Sequence, residues 1–201
     1  MNAKLFVEGA AQGPNSKLLQ SRCREGFRKL LEQCGFAGRL PQIVACGGRG
    51  AAYRDFSIAH ANSGSRYVAL LVDSEDPVAD IEQTWAHLKA RDNWDKPAGA
   101  SDDEVLLMTT CMESWIASDR EALRQHYGAN LQENALPNLH GMEARHRHTV
   151  QDALAHATRN CKNAYEKGNR SFEVLEKLQP VELRKHLPSF VRCERVLKAR
   201  L

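Results

Sequence analysis

Several carboxylates of this 201-residue chain stand where short apolar runs end. Glu8 closes the run 3–8, Asp73 closes 66–73 with Glu75 and Asp76 just behind it, and Glu113 follows 104–111. Like charges held within a few ångströms repel and raise one another's pKa, so such a cluster is costly unless a divalent cation neutralises it. A donor set made only of oxygens selects a hard ion, Mg²⁺ first and Mn²⁺ or Ca²⁺ next. A second group, Gly47, Gly48 and Arg49, follows the apolar run 41–46 and precedes a helical pattern. Two glycines there let backbone N–H groups approach a phosphate at a helix N-terminus, and Arg49 adds a cation.

These residues converge only if the right elements carry them. Runs 3–8, 41–46, 66–73 and 104–111 are rich in Val, Leu and Ile and bounded by Gly, Pro, Asn or Asp, so they read as four buried strands. Between the first two, Leu19, Cys23, Phe27, Leu30 and Cys34 recur every three or four residues and stripe one face of a helix over 15–34. Further helices are expected over 50–61 and 78–91. Strand-helix alternation implies an α/β fold: a Rossmann-like layer of about four parallel strands joined by right-handed crossovers and flanked by helices. In such a sheet every strand ends on one edge, where ligands bind. After Met112 the strand signal vanishes, and 142–165, 172–178 and 181–201 look helical, with breaks at Gly141, Gly168 and Pro188. We therefore divide the chain into an α/β domain, 1–127, and a helical C-terminal extension, 128–201.

Composition narrows the classes. With 28 basic and 25 acidic residues and 42% hydrophobic residues, the profile is that of a globular protein. The charge is uneven: residues 1–119 carry net −3 and 120–201 carry net +6, with six of the eight histidines in the second part. That asymmetry suits an anionic partner for the C-terminal part, though a solvated helical face reads the same way. The longest uncharged apolar stretch, 67–72, is far short of the roughly 20 residues of a membrane span, and no signal segment opens the chain, so a cytoplasmic setting without membrane contact is expected. The six cysteines include no CxxC pair and read as reduced, buried small hydrophobes. No GxxxxGK[ST] and no GxGxxG is present, so any ATPase must be a separate subunit. His146 and His148 read as surface residues facing different sides of a helix. Trp85, Trp94 and Trp115 read as packing anchors, since no basic cluster interleaves with them.

The acidic motifs also carry a resemblance. Phe6-Val7-Glu8-Gly9 and Leu70-Leu71-Val72-Asp73-Ser74-Glu75-Asp76 resemble the two acidic motifs of the TOPRIM fold of topoisomerases, bacterial primases, small ribosomal-RNA maturases and OLD nucleases. Together with Cys46-Gly47-Gly48-Arg49, Cys111-Met112-Glu113-Ser114-Trp115 and Lys167-Gly168, they make nearly the whole chain similar to a bacterial TOPRIM-like family of unassigned function, often encoded beside an ATPase. The pattern departs from the usual Asp-x-Asp, reading Asp73-x-Glu75, and Asn15 stands where many relatives carry a second Glu. The resemblance implies a metal-dependent nuclease in which Glu8, Asp73 and Glu75 or Asp76 hold Mg²⁺ or Mn²⁺. It implies Glu113 and Asp119 for any second ion, and Lys167 or Arg49 for the cation that meets transition-state charge. The implied partners are DNA or RNA, bound by the basic C-terminal part, and a separate ATPase in an antiviral defence system. The alternative is a non-catalytic metal-binding regulatory or toxin-like subunit of an ATPase complex. A small RNA maturase would share the site, and a homo-oligomer is compatible with each reading.

Overall fold

The structure, a computed structural model, describes residues 3–9 and 16–201. Its first half alternates strand and helix: β1 (Lys4–Val7), α1 (Ser16–Leu31), β2 (Gln42–Ala45), α2 (Arg49–Ala61), β3 (Val68–Asp73), α3 (Thr84–Asp92) and β4 (Val105–Met108). The four strands form one parallel sheet in the order β2-β1-β3-β4. β1 and β3 are thus central neighbours, paired from Lys4↔Val68 to Val7↔Leu71. All six residues of β3 and all four of β4 are buried, as expected of strands covered on both faces.

The helices of the second half are α4 (Met112–Ser118), α5 (Arg120–Tyr127), α6 (Arg147–Thr158), α7 (Asn169–Leu175), α8 (Pro180–His186) and α9 (Pro188–Arg200). Two apolar layers sandwich the sheet. On one face Phe6, Leu70, Val72 and Leu107 meet Phe56 of α2 and Trp85 and Leu88 of α3. On the other Leu5, Val7, Leu71 and Leu106 meet Phe27 and Leu30 of α1, and the cluster runs on through Ile116, Phe172, Leu183, Phe190 and Val196. Each such side chain contributes roughly 1.5–3 kcal/mol on burial. The helices of 128–201 therefore share a continuous core with the sheet: α7 lies against α1, and α9 against β4.

Three helical expectations are revised. The helix expected over 78–91 starts only at Thr84, because the Asp80 carboxylate accepts from the Glu82 amide and the Gln83 side chain and holds those residues in a turn. The first helix gives way after Leu31 to a wider turn, Glu32–Phe36, in which Gly35 has φ 88°. Within 142–165 only α6 and a single turn at Met142–Ala144 are helical. All six cysteines are buried and free, Trp85 and Trp115 are core residues, and no helix among the described residues is long and apolar enough to cross a membrane.

Candidate metal centre

The pairing of β1 with β3 sets Glu8 beside Asp73 at the C-terminal edge of the sheet. The Glu8 amide donates to the Leu71 carbonyl at 3.1 Å, continuing the ladder, and Glu8 Oε2 accepts from the Asp73 amide at 3.3 Å. Asp73 is 5% exposed, and its Oδ1 accepts from the Met112 amide at 2.8 Å, capping α4 where Cys111 offers no side-chain bond. Beyond Asp73 the chain doubles back. Glu75 takes a left-handed backbone, φ 68°, with its amide on the Thr110 carbonyl at 2.7 Å. Glu8, Asp73 and Glu75 each then offer a carboxylate oxygen, and these atoms lie within 4.8 Å of one another.

The electrostatics match the crowding. Burial raises the Asp73 pKa well above the ordinary value, Glu8 and Glu113 raise it further, and Lys167 and the Met112 amide oppose them. Burial also raises Glu8, with Arg49 opposing and Glu75 adding to the shift. Burial works against the Lys167 ammonium, but Glu113, Asp73 and Glu8 outweigh it and raise its pKa. Lys167 stands with Glu8, Gly9, Gly47, Gly48 and Met112 around a cleft of about 260 Å³. Larger clefts, of about 490 and 790 Å³, lie by Arg184–Arg195 and by His60–Val68, away from the carboxylates. The converging chemistry, not the volume, singles out the smaller one.

Two of the motif glycines, Gly9 and Gly48, serve different ends. Gly9 has φ 142°, and a Cβ there would meet Phe172 at 3.0 Å, so the fold itself requires it. A Cβ on Gly48 would meet nothing within 4 Å, and α2 begins at Gly48 without a side-chain cap, leaving its N-terminus beside the cleft free of side-chain bulk.

Other expected site residues are held by partners of their own. Arg49, expected to meet phosphate, pairs with Asp92, donates to the Asp73 carbonyl and lies over the Trp94 ring at 4.7 Å. Its guanidinium is used inside the protein. Asp76 stands outside the three-carboxylate group, about half exposed and paired with Arg91 at 3.1 Å. Glu113, fully buried, accepts from the Tyr165 hydroxyl at 2.5 Å and Gln151 at 3.2 Å; it neighbours Asp73 electrostatically but is outside the group. Asp119 caps α5 through the Ala122 amide at 2.9 Å and accepts from the Gln179 amide at 2.7 Å, so both oxygens hold backbone, and it stands outside the three-carboxylate group. His146 and His148 are exposed, as expected, yet they lie together rather than apart: His146 caps α6, and the two rings are 5.1 Å from each other. Asn15 lies outside the described residues.

Two cations escaped the sequence reading. Arg147 Nη1 lies 2.7 Å from Glu75 Oε2 and also donates to the Glu75 carbonyl at 3.1 Å. Arg91 Nη2 lies 3.5 Å from the same carboxylate and pairs with Asp76 and Asp92. One signal was present: Arg147 opens a helix, the end at which a positive charge is disfavoured. No curated protein and no solved structure matches the chain. The family described as a domain of unknown function, DUF4276, matches residues 14–198, and the chain belongs to that family.

Proposed function

We propose that the protein is a metal-dependent nuclease, hydrolysing phosphodiester bonds of DNA or RNA with Mg²⁺ or Mn²⁺. The observation that carries this reading is the convergence of Glu8, Asp73 and Glu75 within 4.8 Å, two of them with raised pKa values. The donor set fits a hard divalent ion: it is all oxygen, and Oε1 of Glu8 and Oδ2 of Asp73 have no hydrogen bond among the described residues. When bound, such an ion polarises a phosphate oxygen and activates water. Glu8, Asp73 and Glu75 would hold it. Lys167 supplies a positive charge at the cleft for the charge that develops on the phosphate oxygens, and the start of α2 supplies peptide dipoles there. Action beside a separate ATPase in antiviral defence extends the proposal by resemblance.

A second reading, a metal-binding subunit that cuts nothing, is favoured by Glu75 already having Arg147 and Arg91 as partners. One experiment separates the two. Supercoiled plasmid, single-stranded DNA and structured RNA are incubated with the protein in Mg²⁺, Mn²⁺ or EDTA, beside Asp73→Ala. A nuclease nicks one of them only with metal, and Asp73→Ala lowers the rate by on the order of 10³-fold. No cleavage, with Mn²⁺ raising the melting temperature of wild type alone, selects the second reading. Equal cleavage by both proteins removes the site from the chemistry.

A further inference from the structure

The third carboxylate differs from the other two. Asp73 has Glu8 and Glu113 as carboxylate neighbours and Glu8 has Asp73 and Glu75, whereas Glu75 is met by a guanidinium whose single Nη1 touches both its carboxylate and its carbonyl. The contact is well shielded, with side-chain exposures of 17% for Glu75 and 25% for Arg147. Arg147 is the first residue of α6, where the helix dipole disfavours a cation, so a nearby carboxylate is what makes that position tolerable. Glu75 is held in a left-handed backbone, disfavoured for a non-glycine residue, with Thr110 on its amide and Arg147 on its carbonyl. Arg91 completes a chain of ion pairs, Arg147–Glu75–Arg91–Asp92–Arg49, that rims the carboxylate group.

A divalent cation and the Arg147 guanidinium compete for one carboxylate. Both carry positive charge, and Glu75 Oε2 is already within hydrogen-bond distance of Nη1. We propose that Arg147 is a displaceable counter-ion: it neutralises Glu75 while no divalent cation is bound, yields it when one arrives, and then offers its planar donor fork to a substrate phosphate. The inference rests on the metal-binding reading above but not on cleavage. Guanidinium suits that exchange, because its parallel N–H groups match carboxylate and phosphate alike. The neighbouring exposed His146 and His148 extend the same polar surface beyond the rim.

The test is calorimetric titration with MnCl₂, together with binding of a short fluorescent single-stranded oligonucleotide in Ca²⁺. It compares wild type, Arg147→Gln, Arg147→Lys, Glu75→Gln and the double variant Glu75→Gln/Arg147→Gln. Arg147→Gln removes the competitor and tightens Mn²⁺ binding about tenfold, while weakening the oligonucleotide roughly tenfold. Arg147→Lys keeps the charge and stays near wild type for Mn²⁺. The tightening disappears in the Glu75→Gln background, which separates competition for one carboxylate from a general field. Unchanged or weaker Mn²⁺ binding by Arg147→Gln overturns the proposal, as does equal tightening without Glu75 or an unchanged oligonucleotide affinity. Wild type that binds no Mn²⁺ at all removes the metal centre together with it, an outcome readily told apart from the others.

Discussion

Two of the regions that bury carboxylates in this molecule handle them in opposite ways. On α9, Glu194 is 5% exposed, and its two oxygens accept from Arg184 at 2.6 and 2.7 Å. Beside it Arg192, 4% exposed, meets Glu82 and the carbonyls of Val105 and Asp102. At the sheet edge Asp73 is just as buried, yet its carboxylate neighbours are Glu8 and Glu113. Burial of charge therefore does not mark a site. A buried charge that the chain leaves short of compensation does, and of these two regions the sheet edge has that character.

The contrast is easiest to break at α9. Glu194→Ala removes two hydrogen bonds and leaves the Arg184 guanidinium, 40% exposed, to water, and should cost roughly 1–2 kcal/mol in chemical denaturation, with Mn²⁺ binding untouched. A loss below about 1 kcal/mol would make the two regions energetically alike. The sheet edge should respond with the opposite sign. Asp73→Asn keeps an oxygen for the Met112 amide and removes one of the crowded charges, so the metal-free protein gains about 1–2 kcal/mol while the Mn²⁺-induced rise in melting temperature disappears. A less stable variant that still responds to Mn²⁺ would put Asp73 with Asp119 as a structural cap. The smallest effect is at Glu143, whose carboxylate accepts from the Ser189 amide at 3.0 Å near the start of α9. Burial raises its pKa to about 7, against the lowering effect of the Ser189 hydrogen bonds. The neutral form is thus favoured in the folded state, so its contribution is present below about pH 4.5 and is lost as pH rises through about 7. Glu143→Gln should flatten that slope by on the order of 1 kcal/mol in melts between pH 5 and 8. An unchanged slope would leave Asp73 and Glu8 as its source.

What was legible in the sequence follows from what is local. The four strands were readable because burial on both faces writes an unbroken apolar run, and parallel order then put Glu8 and Asp73 on one edge. Glu75 was readable through its spacing from Asp73. Arg147 was not, because it reaches Glu75 from the far side of the chain through a turn that no periodicity encodes. The partners of Asp119 and Arg49 were illegible for a related reason: residue type shows what a side chain could bind, while the Gln179 amide and Asp92 that occupy them come from distant segments. Helix starts failed where one side chain decides, as Asp80 does before α3.

The packing of α7 on α1 bears on how the protein is made. Phe172 and Leu175 lie close against Gly26, and Glu176 holds Lys29 at 3.0 Å and Gln33 through its carbonyl. Helix α1 leaves the ribosome before α7, and this cover emerges more than a hundred residues later, roughly 7 to 28 seconds at about 5–20 residues per second. Over that interval the face of α1 that carries Gly26, Lys29 and Gln33 has no α7 to pack on. The nascent sheet carries its carboxylates before either Arg147 or Lys167 exists to balance them. Translation tempo and chaperone access over the middle of the message are thus built into the architecture, and a chain truncated before residue 169 leaves the ribosome with an open seam along α1.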